Sequence, residues 1–217
     1  MSIADHWPLF SLRIRTSDLE LFVPTDDELA ELLEVAARGI HDPVTMPFAV
    51  PWTDIASPEF ERAALQYHWR CRAEFSPTRW DLGFAVRREG RIVGMQALHS
   101  VDFPIVRSVE TGSWLGKEFQ GHGIGTAMRA AAVQFAFEFL GALTVTSGAF
   151  EDNLASQRVS LAIGYEPNGV SATVRRGERA SQRRFLLTRE RWQSTRTDLD
   201  LPVDVSGYES CRKLLGT

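Results

Sequence analysis

"QGHGIGTAM", Gln120 to Met128, sets glycines at 121, 123 and 125 and then turns helical. Glycine in such a run costs chain entropy on folding. The stretch must therefore need bare backbone, either for a positive-φ turn or for close approach to the main chain. Upstream, "VRSVETGSWLGKEF" reads as a strand. Downstream, "IGTAMRAAAVQFAFEFL" reads as a helix that is apolar nearly all round and so buried. Strand, glycine turn and helix N-terminus together make an anion site, where free N–H groups and the positive end of the helix dipole converge. Two specific versions fail. A Walker loop needs Gly-Lys-Ser/Thr, and Thr-Ala-Met follows Gly125. A dinucleotide fingerprint needs Gly-x-Gly-x-x-Gly, and Thr126 stands where the third glycine belongs, with no acidic residue ending a following strand at the right distance. Gln/Arg-x-x-Gly-x-Gly/Ala remains, filled by Gln120, Gly123 and Gly125.

Outward from the loop, the pattern is that of a mixed α/β protein, roughly ββαα–βββ–α–β–α–ββ. Two short strands lie in "LFSLRIRT" and "SDLELFVP", with a turn near Thr16–Asp18. Thr25 and Glu28 form a capping box for a helix whose Leu29, Leu32, Leu33 and Ala36 share one face and which Gly39 ends. Residues 40–56 carry three prolines and little periodicity, and long ordered loops of this kind tend to be functional. A second helix begins with Ser57 as its cap and Pro58 at the first helical position. "WDLGFAVRREGRIVGMQALHSV" is a hairpin turning at Glu89–Gly90. "ALTVTSGA" lacks polar alternation and suits a central strand. "NLASQRVSLAIG" is a helix capped by Asn153 and stopped by Gly164. A last hairpin turns around Gly177–Ala180, and residues 198–217 form a C-terminal appendage to a single domain spanning 1–217.

Composition sets outer limits. The 217 residues are 44% hydrophobic and 24% charged, with a formal net charge of −4. This is an ordinary globular composition without the basic footprint that nucleic-acid binding needs. No apolar run is long enough to cross a membrane. Cys71 and Cys211 read as reduced thiols of a cytoplasmic protein. The five histidines, at 6, 41, 68, 99 and 122, make no ligand-spaced pair, so no metal is expected.

At the loop the chain resembles the GNAT superfamily of acyl-CoA-dependent N-acyltransferases, in which this turn wraps the coenzyme A pyrophosphate. "GSWLGKEFQGHGIGTAM" and "FAFEFLGALTVTSGAFEDNLASQRVSLAIGYEPNG" resemble its Rim-type branch, the ribosomal-protein N-acetyltransferase relatives, through Asn153, Ser156, Gly164 and Tyr165. The match is clear over about 82–190. The resemblance implies a central, mostly antiparallel sheet that splits between two parallel strands, 110–117 and 143–149. Acyl-CoA, acetyl or succinyl, would lie in the split. Gln120, Gly121, His122, Gly123, Ile124, Gly125 and Thr126 would hold the pyrophosphate, and Trp114, Leu115, Gly116 and Asn153 the pantetheine. The Leu115 N–H would polarise the thioester carbonyl. Ser156 would bind near the sulfur and protonate the departing thiolate, and Glu110 would help deprotonate the acceptor amine.

Plain roles compete for each residue. Asn153 is also a helix cap, Ser156 a polar first-turn residue, Glu110 a solvated strand carboxylate and His122 a solvated loop position. His99 and Asp102 are further candidates for a proton relay. Arg175, Arg176, Arg179, Arg183 and Arg184 are either a solvated hairpin surface or an attractor of acidic groups. Asp42, Phe48, Trp52 and Asp54 either shape an acceptor pocket or plug the core. The acceptor is an amine, whether a protein N-terminus, a lysine or a small molecule, and a homo-oligomer is compatible with the sequence. The rivals are a non-catalytic acyl-CoA sensor and, more weakly, a nucleotide-binding enzyme.

Overall fold

The computed structural model describes residues 1–195 and 201–217. Helix α1 (Ile3–His6) leads into β1 (Arg13–Arg15) and β2 (Leu19–Phe22). Helix α2 (Asp26–Ala37) opens on the expected capping box: Thr25 N–H donates to Glu28 Oε2 at 2.9 Å and Glu28 N–H to Thr25 Oγ1 at 3.3 Å. Helix α3 (Glu59–Ala73) starts differently from the expectation. Pro58 takes the cap position, and Ser57 donates its hydroxyl to Glu61 Oε1 at 2.6 Å, which leaves it making no cap bond. A serine caps only by accepting from a backbone N–H, and Glu61 competes for that side chain.

Strands β3 (Arg79–Arg88) and β4 (Arg91–Val101) form the expected hairpin, with Glu89 and Gly90 both at positive φ as a tight hairpin turn requires. Then follow α4 (Phe103–Val106), β5 (Ser108–Leu115) and α5 (Ile124–Gln134), which runs on through a π-helical turn at Phe135–Phe139. Next come β6 (Thr144–Phe150), α6 (Leu154–Ile163), β7 (Glu166–Arg175), β8 (Glu178–Thr188), α7 (Arg189–Thr195), β9 (Asp204–Ser206) and α8 (Tyr208–Leu215).

The nine strands among the described residues belong to one sheet, ordered β7-β8-β6-β5-β4-β3-β2-β1-β9. Each neighbouring pair is antiparallel except β5 and β6. These two pair only from Ser108–Thr144 to Thr111–Ser147. Beyond that point β5 stays with β4 and β6 with β8, so the sheet opens between them.

One face of the sheet, carrying Leu82, Phe84 and Val86, buries Met128, Ala131, Val133 and Phe135 of the α5 segment. The opposite face packs Phe22, Ala85, Ile92 and Met95 against Leu29, Leu32 and Val35 of α2. The alternation along β3 explains the division, since successive side chains leave a strand on opposite faces. In the tail, residues 196–200 lie outside the described residues. The rest joins the molecule's centre: β9 extends the sheet beside β1, and α8 buries Cys211 and Leu215 completely in the α5-side core. Among the described residues no helix is long and apolar enough to cross a membrane.

Candidate acyl-CoA site

The site begins where β5 and β6 part. In the loop after β5, Gly121 and Gly123 adopt φ of 80° and 77°. A Cβ added at either would meet no atom within 4 Å. Backbone conformation, not crowding by the chain itself, therefore favours glycine there, and the space over the loop is open. Gly123 caps α5 without any side-chain bond. His122 is exposed, Thr126 sits in the first turn, and the Ile124 side chain is buried beneath it. Gln120 is exposed, but its Nε2 turns back to donate to Leu115 O at 2.9 Å and to Ile40 O, tying the base of the loop to β5 and to the segment after α2. A Cβ on Gly125 would lie 3.7 Å from Leu115 and 3.8 Å from Val159, so loop, strand and α6 converge there.

Leu115 stands opposite Gly94, and the neighbouring ladder bond runs from Gly116 N–H to Val93 O at 3.0 Å. That pattern makes Gly94–Leu115 a non-hydrogen-bonded pair. The N–H and C=O of Leu115 consequently turn away from β4, toward the side from which β6 has diverged. Gln120 occupies the C=O, and the N–H faces the split. Gly116 is hemmed in by Val35, 2.7 Å from where a Cβ would be. The Trp114 ring lies on the α2 side, 5.9 Å from Trp52.

Asn153 caps α6, accepting from Ser156 N–H at 3.1 Å, which leaves its side-chain amide free to donate. The Ser156 hydroxyl is half-buried with no bond to any described residue. Beneath both lies a residue that sequence reasoning missed. Arg129 of α5 is 4% exposed and donates to Ser113 of β5 at 2.8 Å, to Ser160 of α6 at 3.0 Å and to Ser147 of β6 at 3.4 Å. It thus bridges both arms of the split. No carboxylate among the described residues pairs with it, its Nε has no acceptor, and burial pulls its pKa down. Its sequence signal is an arginine inside the apolar run "AMRAAAV". Nearby Tyr165, pushed up to about 12 by burial, bonds Thr111 Oγ1 at 3.2 Å.

On the α2 side, three strands bring a charged row together. Asp81, His99 and Glu110 are cross-strand neighbours on β3, β4 and β5. His99 Nδ1 lies 2.7 Å from Asp81 Oδ1. That bond, with the charges of Asp81 and Glu110, raises the His99 pKa against the effect of burial. Arg184 reaches from β8 across β6 to Glu110 Oε1 at 3.1 Å. It can do so because β6 has glycine at 148, where a Cβ would stand 2.9 Å from Arg184 Nη1. Asp102 forms no hydrogen bond or ion pair with this row; it heads α4, its carbonyl accepting from Ile105 and Val106.

Residues 40–56 cross the same side as a strap. Its start is pinned by Lys117 N–H to Gly39 O at 2.9 Å and by Gln120. Its far part is clasped by the β7–β8 turn, where Arg176 holds both Asp54 oxygens at 2.6 and 2.7 Å and Pro43 O at 3.0 Å. Arg175 pairs with Asp152 at 2.8 Å. Arg175, Arg176 and Arg184 are thus matched by this chain's own carboxylates, while Arg179 and Arg183 stay exposed. Phe48, Trp52, Phe60 and Trp114 pack together under the strap. Asp42 accepts from Val44 N–H within it.

Residues 18–166 match the family described as Acetyltransferase (GNAT) domain. The putative ribosomal N-acetyltransferase YdaF of Bacillus subtilis is 37% identical over 81 residues, which cover 37% of this chain and 44% of that relative. Mycobacterium smegmatis RimJ, solved in complex with CoA-disulfide, superimposes with a TM-score of 0.68 over 89% of this chain and 97% of its own, at 15% identity. RimL, a ribosomal L7/L12 alpha-N-protein acetyltransferase solved with coenzyme A, gives 0.63 over 79% and 94%, also at 15% identity.

Proposed function

Because the chain belongs to the GNAT acetyltransferase family and resembles its Rim-type members, we propose that it moves an acetyl group from coenzyme A to an amine by direct attack within a ternary complex. One observation carries this reading: β5 and β6 part at Thr111–Ser147, and the freed end of β5 leads into a positive-φ glycine turn at the head of α5. The pyrophosphate would rest on the N–H groups of residues 121–126, and the pantetheine would run between the strands along Trp114–Gly116 and the Asn153 amide. A carbonyl polarised by the Leu115 N–H gains most as its oxygen becomes an oxyanion, so that contact lowers the barrier rather than only aiding binding. The amine would arrive on the Glu110 side, beneath the strap. As the C–N bond forms and the C–S bond breaks, the thiolate would collect a proton from Ser156. A protein N-terminus suits the named relatives, with a lysine or a small amine as the other acceptors, and two free thiols fit a cytoplasmic setting.

Arg129 favours a second donor. A buried guanidinium without a carboxylate is costly, and this one borders the split, so the carboxylate of a succinyl thioester would satisfy it. A donor panel tests both readings, with release of free thiol followed for acetyl-CoA and succinyl-CoA against N-terminal peptides, lysine peptides and polyamines. Thiol release with acetyl-CoA supports the first reading, and a preference for succinyl-CoA that Arg129→Met abolishes supports the second. CoA binding without turnover across the panel would make the protein a sensor, and failure to bind CoA would overturn the scheme.

A further inference from the structure

We propose that His99, oriented by Asp81, is the catalytic residue that takes the proton from the acceptor amine, while Glu110 and Arg184 form the ion pair against which that amine is placed. The inference rests on the acyl-transfer reading and moves the base one strand away from Glu110.

The register carries the argument. Glu110 pairs with Thr146, one step before the last β5–β6 pair, so the row Asp81–His99–Glu110 ends where the sheet opens. One oxygen of Glu110 is engaged by Arg184. His99 is differently placed. Asp81 holds Nδ1, and a carboxylate can only accept there, so Nδ1 carries the hydrogen and Nε2 presents a lone pair. No described residue bonds Nε2. Adjacent strands lie about 4.8 Å apart, so His99 is one water away from an amine seated beside Glu110, and a relay through a single water suffices for general-base catalysis.

The charges facing His99 favour the protonated product. Asp81 from β3 and Glu110 from β5 stabilise an imidazolium, and Arg79 from β3 opposes it. Arg184 from β8 is spent on Glu110. Tyr67 and Cys71 of α3 lie near Asp81, and burial holds both of their pKa values up, so they add no negative charge at neutral pH. In the step itself the N–H bond breaks, the proton passes through the water to Nε2, and the freed pair forms the C–N bond. The C–S pair leaves with the thiolate. His99, 38% exposed, then returns its proton to solvent.

The test uses full-length His99→Gln, Asp81→Asn and Glu110→Gln, with thiol release measured across pH and CoA affinity by calorimetry. All three should bind CoA as the wild type does. His99→Gln should lower kcat at neutral pH by about 10²-fold, and the loss should shrink at high pH as the amine becomes neutral unaided. Asp81→Asn should shift the acid limb of the profile to lower pH, because it removes the bond that raises the His99 pKa. Glu110→Gln should raise the acceptor KM more than it lowers kcat. The proposal is overturned if His99→Gln keeps the wild-type profile, or if Glu110→Gln alone removes the acid limb. A wild type that binds CoA but turns over no acceptor overturns it together with the acyl-transfer reading, whereas normal turnover in His99→Gln overturns it alone.

Discussion

At the scale of single residues, the loop glycine offers the sharpest test. Gly123 sits at φ 77° with open space where a side chain would project. A β-branched residue there is a steric outlier and would also occupy the volume that a phosphate needs. Gly123→Val should weaken CoA binding at least tenfold by calorimetry while shifting Tm by only a few degrees. Unchanged affinity would remove the phosphate cradle. Ser156→Ala should behave in the opposite way, with kcat falling while the KM for acyl-CoA holds, since protonation of a leaving thiolate matters mainly in the transition state. A rise in KM alone would reduce Ser156 to a binding contact. The residues that could be found from sequence lie in local patterns: the glycine spacing, the Asn153 cap three residues before Ser156, and the carboxylate on the strand ahead of the loop. Asp81 and Arg129 were not legible. Their partners come from other elements: the register of β3 on β4 sets Asp81 beside His99, and the packing of α5 against β5, β6 and α6 sets Arg129 among its serines.

Elements are legible in the sequence wherever local chemistry fixes them. The Thr25–Glu28 box, the Glu89–Gly90 turn and the central strand that follows the buried helix all need only a few adjacent residues, while its parallel pairing with β5 is implied by the family resemblance. In the sequence the strap reads only as a long loop, because its clasp comes from a residue more than a hundred positions away. Its clasp is an exposed ion pair, and such pairs hold only weakly. Arg176→Ala should therefore raise the population of the open strap modestly. We expect faster proteolysis within residues 40–56 and a several-fold change in acceptor kcat/KM, with CoA affinity untouched. If cleavage rates match the wild type, the clasp does not hold the strap. Arg176 keeps the Asp54 pKa below its usual 3.8, so the clasp should persist through neutral and mildly acidic pH. It should fail only as pH falls past the carboxylate range, because a depressed pKa gives stability that is present above it and lost below.

Across the whole molecule, the family resemblance implies a mostly antiparallel sheet opening between two parallel strands, whereas the order of the strands and β9 at the outer edge emerge only from the structure. The mixed, polar composition of the tail hid the fact that Cys211 and Leu215 are apolar residues four apart on one helix face, aimed at the main core. Truncating Leu215 to alanine removes a fully buried side chain, and such changes cost about 2–5 kcal/mol. Tm should fall by about 5–15 °C, measured by calorimetry or circular dichroism. A shift under two degrees would show that the tail helix is dispensable.

The pairing of β9 with β1 has a consequence during synthesis. Ile14 and Val205 are direct partners across the sheet, yet about 190 residues separate them along the chain. At roughly 5–20 residues added per second, β1 must wait roughly 10–40 s on the ribosome before its outer neighbour exists. Throughout that interval the strand presents an unpaired edge of the kind that recruits foreign strands. Arg13 and Arg15, which flank Ile14 on this three-residue strand, keep that edge short and charged while the nascent chain is being completed.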